Sequence, residues 1–546
     1  MKRVLKVSVL SWLIIAAEFT SACADSYPRN PNIDVQRYSF RITLSDQNNE
    51  IIGEAEITIK FLAEGISDVR LDLVGSTSDE DSTGMHVESI THENENVHFS
   101  HKHDRLLIRL STASKAGENR TYTISYRGIP ADGLIISKNK YGDRTFFGDN
   151  WPNRAHNWLP TVDHPSDKAS CEFLVTAPNH YQVVANGLLV EETDLSANRR
   201  LTHWQETTPL PTKVMVIGAA RFAVQYLTEY EDISVQSWVY PQNRNAGFYD
   251  FAQAMRILQY FDRRIGNFPY GKLANVQSKT RYGGMENASA IFYHENAVNG
   301  TRENERLLAH EIAHQWFGDS VTEADWHHIW LSEGLATYFA LLYLEDTHGR
   351  KRLIDGLETA RDRVFSFYKN NPNSTIVDTT IVNLNRLLNP NSYQKAGWML
   401  HMLRGILGDD LFWKGIQEYY GRHRHQNVLT RDFQRVMEMV SGEDLSWFFR
   451  QWLYAPGYPE IAGSWTYNAE AKELVVHLNQ IQKSPHLFRM PIEFGIYTQG
   501  NNSPKIGRRQ ATKREHIFRF ELQTEPTKVE LDPNHWLLMK ADFNRK

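Results

Sequence analysis

The chain has 546 residues, too many for one hydrophobic core, and this length suggests about three or four domains. Apolar residues make up 41% of the sequence and charged residues 23%, as in ordinary soluble globular proteins. The formal net charge of −5 gives no electrostatic basis for binding nucleic acid or an anionic membrane, so we expect neither as a partner.

The first 24 residues (1–24) predict a secretory signal peptide. Three basic residues precede the apolar run Val7–Ala17, and small residues then form an A-x-A cleavage site that ends at Ala24. The run is shorter than the ~20 residues that cross a bilayer, and no other stretch is long and apolar enough, so we expect no transmembrane segment after signal removal. These features predict an exported protein, periplasmic or secreted, with lipid anchoring through Cys23 as the alternative.

The hydrophobic pattern divides the rest of the chain into three parts. Apolar and polar residues alternate in segments such as Tyr38–Leu44 and Gly53–Phe61, which predicts an all-β domain over residues 25–225. Apolar residues then recur at helical spacing, which predicts a mostly helical domain over residues 226–456. Alternation returns near the end and predicts a small β-sandwich over residues 457–546.

The helical part contains an H-E-x-x-H motif, which reads HEIAH at residues 310–314. His310 and His314 are four residues apart, so on a helix they share one face and both imidazoles can reach the same ion. Zinc takes His nitrogens and a carboxylate in proteins, and in catalytic sites it keeps a position for water. Glu311 points about 100° away from its helical neighbour and is unsuited to ligation, so we expect it to be the general base.

A zinc site needs a third protein ligand, and Glu333 is the candidate. It lies nineteen positions after His314, at the start of a second apolar helix. Two antiparallel helices joined by a dozen or so residues would bring Glu333 back over the histidine pair. The predicted chemistry is hydrolysis of a carbonyl compound, most simply a peptide bond, with one Zn²⁺ per chain.

These segments resemble the zinc aminopeptidase family typified by aminopeptidase N and leukotriene-A hydrolase, which are gluzincin metallopeptidases. HEIAHQWFG and WLSEG have the family's spacing, GGMEN at Gly283–Asn287 is close to its Gly-Ala-Met-Glu-Asn loop, and SYQKAG at Ser392–Gly397 is similar to its Tyr-x-Lys-Gly segment. Weaker similarity extends through Leu159–Ala169 and Trp452–Pro459. The resemblance implies a multi-domain α+β fold: an N-terminal all-β domain, a thermolysin-like, mostly α-helical zinc catalytic domain and a small C-terminal β-sandwich.

The resemblance also implies roles for residues outside the helix pair. Glu286 would bind the free α-amine of a peptide substrate, and Tyr393 would donate a hydrogen bond to the oxyanion. The other residues of GGMEN would shape the edge that holds the peptide: Gly283, Gly284, Met285 and Asn287. A carboxylate beside the scissile bond would leave an internal peptide with a buried unpaired ion, so the expected partners are peptides with a free N-terminus.

The sequence departs from the family pattern in the N-terminal domain. Family members usually have a Gln or Glu there that helps to hold the amine, but the corresponding segment Phe146–Trp158 contains neither. Asp149 and Asn150 are the possible replacements.

The resulting hypothesis is an exported zinc-dependent aminopeptidase that uses a zinc-activated water and a Glu general base. One alternative is an epoxide hydrolase of the leukotriene-A hydrolase type, because the same zinc and tyrosine could open an epoxide. Another is a non-catalytic binding protein on the same fold, which the complete set of ligands and base disfavours. The sequence leaves the preferred N-terminal residue and the oligomeric state open.

Overall fold

The structure is a computed structural model that describes residues 25–76, 83–500 and 503–546. The predicted signal peptide, including Cys23, lies outside the described residues. A β-rich region, a region with all nine α-helices of the described chain and a final β region follow one another in sequence. This order confirms the predicted multi-domain α+β fold. Among the described residues, no helix has the length and apolar character needed to cross a membrane.

The N-terminal region consists of three β-sheets that bury one face of alternating strands, as the side-chain period of two requires. Its largest sheet has eight strands in the order β13-β14-β11-β1-β2-β8-β4-β5, and the smaller sheets have the orders β12-β15-β10-β9 and β3-β7-β6. The strands are β1 (Ile33–Thr43), β2 (Ile51–Phe61), β3 (Asp68–Asp72), β4 (Gly84–His92), β5 (Glu95–Asn96), β6 (Phe99–Lys102), β7 (Arg105–Arg109), β8 (Asn119–Ile129), β9 (Leu134–Lys138), β10 (Arg144–Gly148), β11 (Ala169–Pro178), β12 (Gln182–Ala185), β13 (Leu188–Leu195), β14 (Arg199–Leu210) and β15 (Ile217–Ala220).

The middle region begins with a mixed five-stranded sheet in the order β16-β17-β18-β20-β19. Its strands are β16 (Ala223–Tyr230), β17 (Ile233–Val239), β18 (Lys272–Ser278), β19 (Gly284–Met285) and β20 (Ala290–His294). The change from the first region to this sheet therefore falls between Ala220 and Ala223. The parallel strands β17, β18 and β20 are almost wholly buried, so they lack the alternation that identifies a half-exposed strand.

Helices make up most of the remaining middle region, and α4 lies at its centre. Residues Trp330–Leu344 of α4 are buried on every side, which explains why this helix is apolar all round. The elements are α1 (Arg244–Phe251), α2 (Ala254–Ile265), α3 (Glu305–His314), β21 (Thr322–Glu323), α4 (Trp330–His348), α5 (Arg350–Asn370), α6 (Ala396–Leu407), α7 (Asp409–His423), β22 (Asn427–Val428), α8 (Thr430–Ser441) and α9 (Ser446–Leu453).

The C-terminal region is a β-sandwich of a four-stranded sheet, β27-β24-β23-β29, and a three-stranded sheet, β26-β25-β28. Phe494 of one sheet packs against Phe518 and Phe520 of the other, with ring centroids 5.7 and 5.5 Å apart. Its strands are β23 (Glu460–Asn468), β24 (Glu473–Gln480), β25 (Met490–Tyr497), β26 (Lys505–Ala511), β27 (Glu515–Glu521), β28 (Lys528–Leu531) and β29 (Lys540–Arg545).

Two lysines, Lys213 and Lys168, connect the N-terminal region to the segment that follows α3. The Lys213 ammonium lies 2.6 Å from the Glu323 carboxylate, and both side chains are buried. Lys168 donates to the backbone carbonyls of Asp319 and Ser320 at 3.0 and 2.8 Å. Because a buried charge is costly without a partner, these contacts fix the two regions against each other beside the candidate site.

Candidate active site

Helices α3 and α4 bring His310, His314 and Glu333 together. The two histidine Nε2 atoms are 3.1 Å apart and lie 3.4 and 3.2 Å, respectively, from the Glu333 Oε2 atom. Zinc–ligand bonds of about 2.0–2.1 Å in a tetrahedron place neighbouring ligand atoms about 3.3–3.4 Å apart, close to these separations. Two imidazole lone pairs and a carboxylate pointing at one position form a donor set that fits a divalent cation such as zinc.

The tautomer of His314 is set by the loop after α3. Its Nδ1 atom lies 3.1 Å from the Phe317 carbonyl oxygen, which can only accept, so Nδ1 carries a proton and Nε2 is the nitrogen that can bind a metal. The Ser332 hydroxyl also lies 3.0 Å from Nδ1. Gly318 makes room for this arrangement with a left-handed φ of +125°, because a Cβ atom there would lie 2.3 Å from the Ser332 Oγ atom.

Glu311 lies between His310 and His314 in the sequence of α3, and its side chain faces Gly284 of β19. A Cβ atom on Gly284 would come within 2.4 Å of the Glu311 carboxyl carbon, so the glycine leaves the space that this carboxyl group fills. Burial raises the pKa of Glu311 well above its usual value, and the nearby carboxylates of Glu286 and Glu333 add to that rise. A carboxylate with a raised proton affinity is suited to take a proton from water.

Their surroundings shift the pKa values of His310 and His314 in opposite directions. Burial lowers the pKa of His310. Burial also acts to lower the pKa of His314, but the carboxylates of Glu333 and Glu286 outweigh it and raise this pKa to about 10. The buried site is therefore strongly negative, which favours bound cations.

Tyr393 reaches the site from a π-helical turn, Asn391–Lys395, that precedes α6. The Lys395 amide donates to the Pro390 carbonyl at 2.9 Å, an i→i+5 bond that accommodates one residue more than an α-turn. The Tyr393 hydroxyl donates to Glu333 Oε1 at 2.8 Å, and its ring stacks on His310 at a centroid distance of 6.0 Å. Burial and Glu333 raise the pKa of Tyr393 well above its usual value, so it stays a neutral donor.

Glu286 lies at the other end of the same cavity. One of its carboxylate oxygens, one of Glu311 and a ring nitrogen of His314 are all within 4.8 Å of one another. Glu286 is 5% exposed, and its Oε1 atom is buried without a hydrogen-bond partner among the described residues. Gln315 donates to the Glu286 carbonyl at 2.8 Å and so holds the backbone in place. An unpartnered buried carboxylate oxygen beside a metal position is suited to receive a cationic group.

The cavity is small, with a volume of about 50 Å³. Its walls include eight predicted site residues, namely Gly284, Met285, Glu286, His310, Glu311, His314, Glu333 and Tyr393. Gly283 and Asn287 are outside this lining. Gly283 accepts from the His294 amide at 3.0 Å, and Asn287 is fully buried behind the loop.

Three further cavity residues were not predicted from the sequence: Trp151, Tyr282 and Leu388. Trp151 lies within the segment Phe146–Trp158, and Tyr282 and Leu388 come shortly before the GGMEN and SYQKAG segments. Nothing in their own residue types or spacing indicates a site. Asp149 and Asn150, the possible amine partners, are hydrogen-bonded elsewhere and lie outside the cavity lining.

Comparison with known proteins was consistent across sequence and fold. Residues 249–452 match the Peptidase family M1 domain, and residues 34–214 match the Peptidase M1 N-terminal domain. Probable aminopeptidase 2 of Sulfurisphaera tokodaii is 26% identical over 401 residues, which cover 70% of this chain and 50% of that protein. Tricorn protease-interacting factor F2 of Thermoplasma acidophilum is 25% identical over 425 residues, which cover 72% and 51%.

A crystal structure of a mutant M1 zinc metallopeptidase from Deinococcus radiodurans has the same fold, with a TM-score of 0.68 and 22% sequence identity. The alignment covers 79% of this chain and 96% of that one. The chain spans about half the length of the curated relatives it matches. The two domain matches confirm the resemblance that the motifs indicated: the chain belongs to the peptidase M1 family.

Proposed function

We propose that this protein is an exported, zinc-dependent aminopeptidase that removes N-terminal residues from peptides. The observation that carries the proposal is the buried, unpartnered Glu286 Oε1 atom in the same small cavity as His310, His314 and Glu333. Several M1 relatives are named aminopeptidases, which supports this activity. Export rests on the predicted signal peptide.

The proposed reaction uses a set of metal ligands, a general base and a hydrogen-bond donor. His310, His314 and Glu333 would hold one Zn²⁺, which when bound supplies Lewis acidity and lowers the pKa of water towards ~7. Glu311 accepts a proton from the attacking water and passes it to the leaving amine. The Tyr393 hydroxyl donates to the carbonyl oxygen as negative charge develops on it.

Glu286 selects the end of the peptide. Its free carboxylate oxygen accepts hydrogen bonds from the substrate's α-ammonium, which places the first peptide bond at the metal-binding position. An internal peptide has no cation at this point and would leave the carboxylate buried and unpaired, a cost of several kcal/mol. The cavity therefore favours exopeptidase over endopeptidase cleavage.

The proposal is tested with a panel of aminoacyl-coumarin substrates and their N-acetylated counterparts. We expect turnover of the free amines, loss of activity with a chelator, and little turnover of the acetylated forms. Glu311→Gln should lower kcat by about 10²–10⁴ while zinc content stays at one per chain. Glu443→Gln, at an exposed position far from the cavity, is the matched control and should leave kcat unchanged.

Full activity of the Glu311→Gln protein would overturn the proposed mechanism. Equal cleavage of acetylated and free substrates would overturn the role of Glu286. Turnover of a lipid epoxide without turnover of any aminoacyl-coumarin would instead support the epoxide hydrolase alternative, and a protein that binds no zinc would support a non-catalytic role.

A further inference from the structure

The N-terminal domain contributes a single side chain to the lining of the cavity, as far as the described residues show. This side chain is Trp151, which follows β10 and lines the same cavity as Glu286. Every other lining residue comes from the middle region. Whatever the N-terminal domain does for the bound substrate, it therefore does through an indole ring.

The polar neighbours of Trp151 are already engaged in structural contacts. The Asp149 carboxylate accepts from the Arg154 guanidinium at 2.7 Å and from the Arg281 amide at 3.0 Å. The Asn150 side chain donates to the Met215 carbonyl at 2.5 Å and accepts from the Trp158 indole at 2.9 Å. Each side chain makes three hydrogen bonds in all, and turning it into the cavity would break them, which costs more than one new bond returns.

The carboxylates of the cavity also have separate tasks. Glu333 belongs to the metal-binding set, and Glu311 must remain free to accept a proton. Only Glu286 is left for the substrate's α-ammonium, which carries three N–H donors and a full charge. A buried ammonium with one carboxylate partner needs a further electron-rich surface.

The Trp151 ring is held rigidly enough to provide that surface. It lies nearly perpendicular to the Tyr282 and Trp326 rings, at 87° and 82°, with centroid distances of 6.0 and 5.8 Å. The Trp151 carbonyl accepts from the Arg154 side chain at 2.7 Å, which fixes the backbone as well. The side chain is 2% exposed, so water is excluded from most of the ring. Cations bind most strongly over indole rings where water is absent.

We propose that Trp151 presents its indole face to the α-ammonium of the substrate, so that one carboxylate, Glu286, and one aromatic ring together recognise the free N-terminus. This inference rests on the proposed aminopeptidase function. A desolvated cation–π contact of this kind corresponds to about 3- to 30-fold in binding. Trp151 is thus a substrate-binding residue that discriminates a cationic N-terminus from a neutral one.

The test uses two inhibitors that differ only in the amine: leucine hydroxamate and its desamino analogue, 4-methylpentanoyl hydroxamate. The ratio of their inhibition constants measures amine recognition alone, because the metal-binding group and side chain are shared. We expect Trp151→Leu to reduce this ratio by about 3- to 30-fold relative to the wild type. Trp151→Phe should retain most of it, because a phenyl ring keeps a π face.

Two further variants separate this contact from simple packing. Leu388→Ala also removes an apolar wall of the cavity, so it should weaken both inhibitors equally and leave the ratio at the wild-type value. In Trp151→Met the methionine side chain fills much of the indole volume without a π system. This variant replaces Trp151→Leu in the test if the leucine variant is unstable. Zinc content and a thermal melt confirm that each variant is folded.

An unchanged ratio in Trp151→Leu or Trp151→Met would overturn the inference and assign Trp151 a packing role. A wild-type ratio near one would mean that the protein does not recognise the amine at all, which would overturn the proposed function itself. The two failures are therefore distinguishable in the same experiment.

Discussion

Substituting Gly318 by alanine should weaken metal binding, although Gly318 is neither a proposed ligand nor a residue that lines the cavity. Gly318 has a φ of +125°, a conformation that L side chains rarely adopt. An added Cβ atom would lie 2.3 Å from the Ser332 Oγ atom and 3.1 Å from the His314 Nδ1 atom. The Ser332 hydroxyl must move, and one of the two contacts that orient His314 is lost with it.

The expected effect has two parts of different origin. Backbone strain at a position of this kind costs about 1–3 kcal/mol, which lowers Tm by roughly 2–4 °C per kcal/mol in a domain of this size. Loss of the group that orients a metal-binding histidine weakens metal affinity by about 10–100-fold. Gly349→Ala separates the two, because Gly349 has a φ of +87° and nothing lies within 4 Å of the Cβ position.

We would measure zinc affinity by chelator competition and stability by thermal melting for both alanine variants. Both should melt below the wild type, and only Gly318→Ala should lose zinc affinity. If Gly318→Ala retained wild-type zinc affinity, the Ser332 contact would have no part in orienting His314. If neither variant melted lower, the strain assigned to the two positive φ angles would be wrong.

Three other predictions concern Tyr393, Asp167 and a buried ion pair. Tyr393→Phe should lower kcat by about 10²–10³ with little change in KM, because the lost hydrogen bond forms mainly in the transition state; steady-state kinetics with kcat unchanged would contradict this. Burial raises the pKa of Asp167 to about 7, above the ~3.9 of an unfolded chain, because the folded protein favours the protonated carboxyl group. The contribution of this group to the free energy of unfolding is therefore complete below pH 4 and is lost as the pH rises through 7. Asp167→Asn should therefore stabilise the protein by up to about 4 kcal/mol at pH 8 and by little at pH 4; thermal melts that show the same gain at both pH values would refute it. Removing one partner of the buried pair, by Lys213→Met or Glu323→Leu, should lower the free energy of unfolding by about 3–5 kcal/mol, whereas the double variant should be nearly as stable as the wild type. A double variant that denaturant titrations show to be no more stable than the less stable single variant would count against this.

The clustering of His310, His314 and Glu333 could be predicted because its geometry is local. The spacing of His310 and His314 places them on one helical face wherever the helix packs. The position of Glu333 needed only one assumption, that the second helix packs back against the first, and Glu333 of α4 does lie beside both histidines of α3. Apolar and polar residues likewise alternate along β1 and β2, and this alternation predicts that one face of the sheet is buried.

Other features depend on contacts between distant segments and left little trace in the sequence. Strand β18 is buried on both faces, so Lys272–Ser278 shows no alternation and the sheet of the middle region was not predicted. Trp151 enters the cavity because the N-terminal domain packs against Tyr282 and Trp326 of the middle region. The sequence directed attention to its polar neighbours Asp149 and Asn150, whose hydrogen bonds with other segments hold them out of the cavity.

The π-helical turn at Asn391–Lys395 limits how this chain can change in length. Deleting Gln394, which follows Tyr393 in this turn, would let the backbone continue as a regular α-helix into α6, with no buried residue of that helix displaced. The residues before the deletion would rotate by about 100° about the helix axis, and Tyr393 would leave the cavity. Deletion of Gln394 should therefore turn the proposed oxyanion donor away from the cavity, so the number of residues in this turn is as constrained as the identity of the tyrosine.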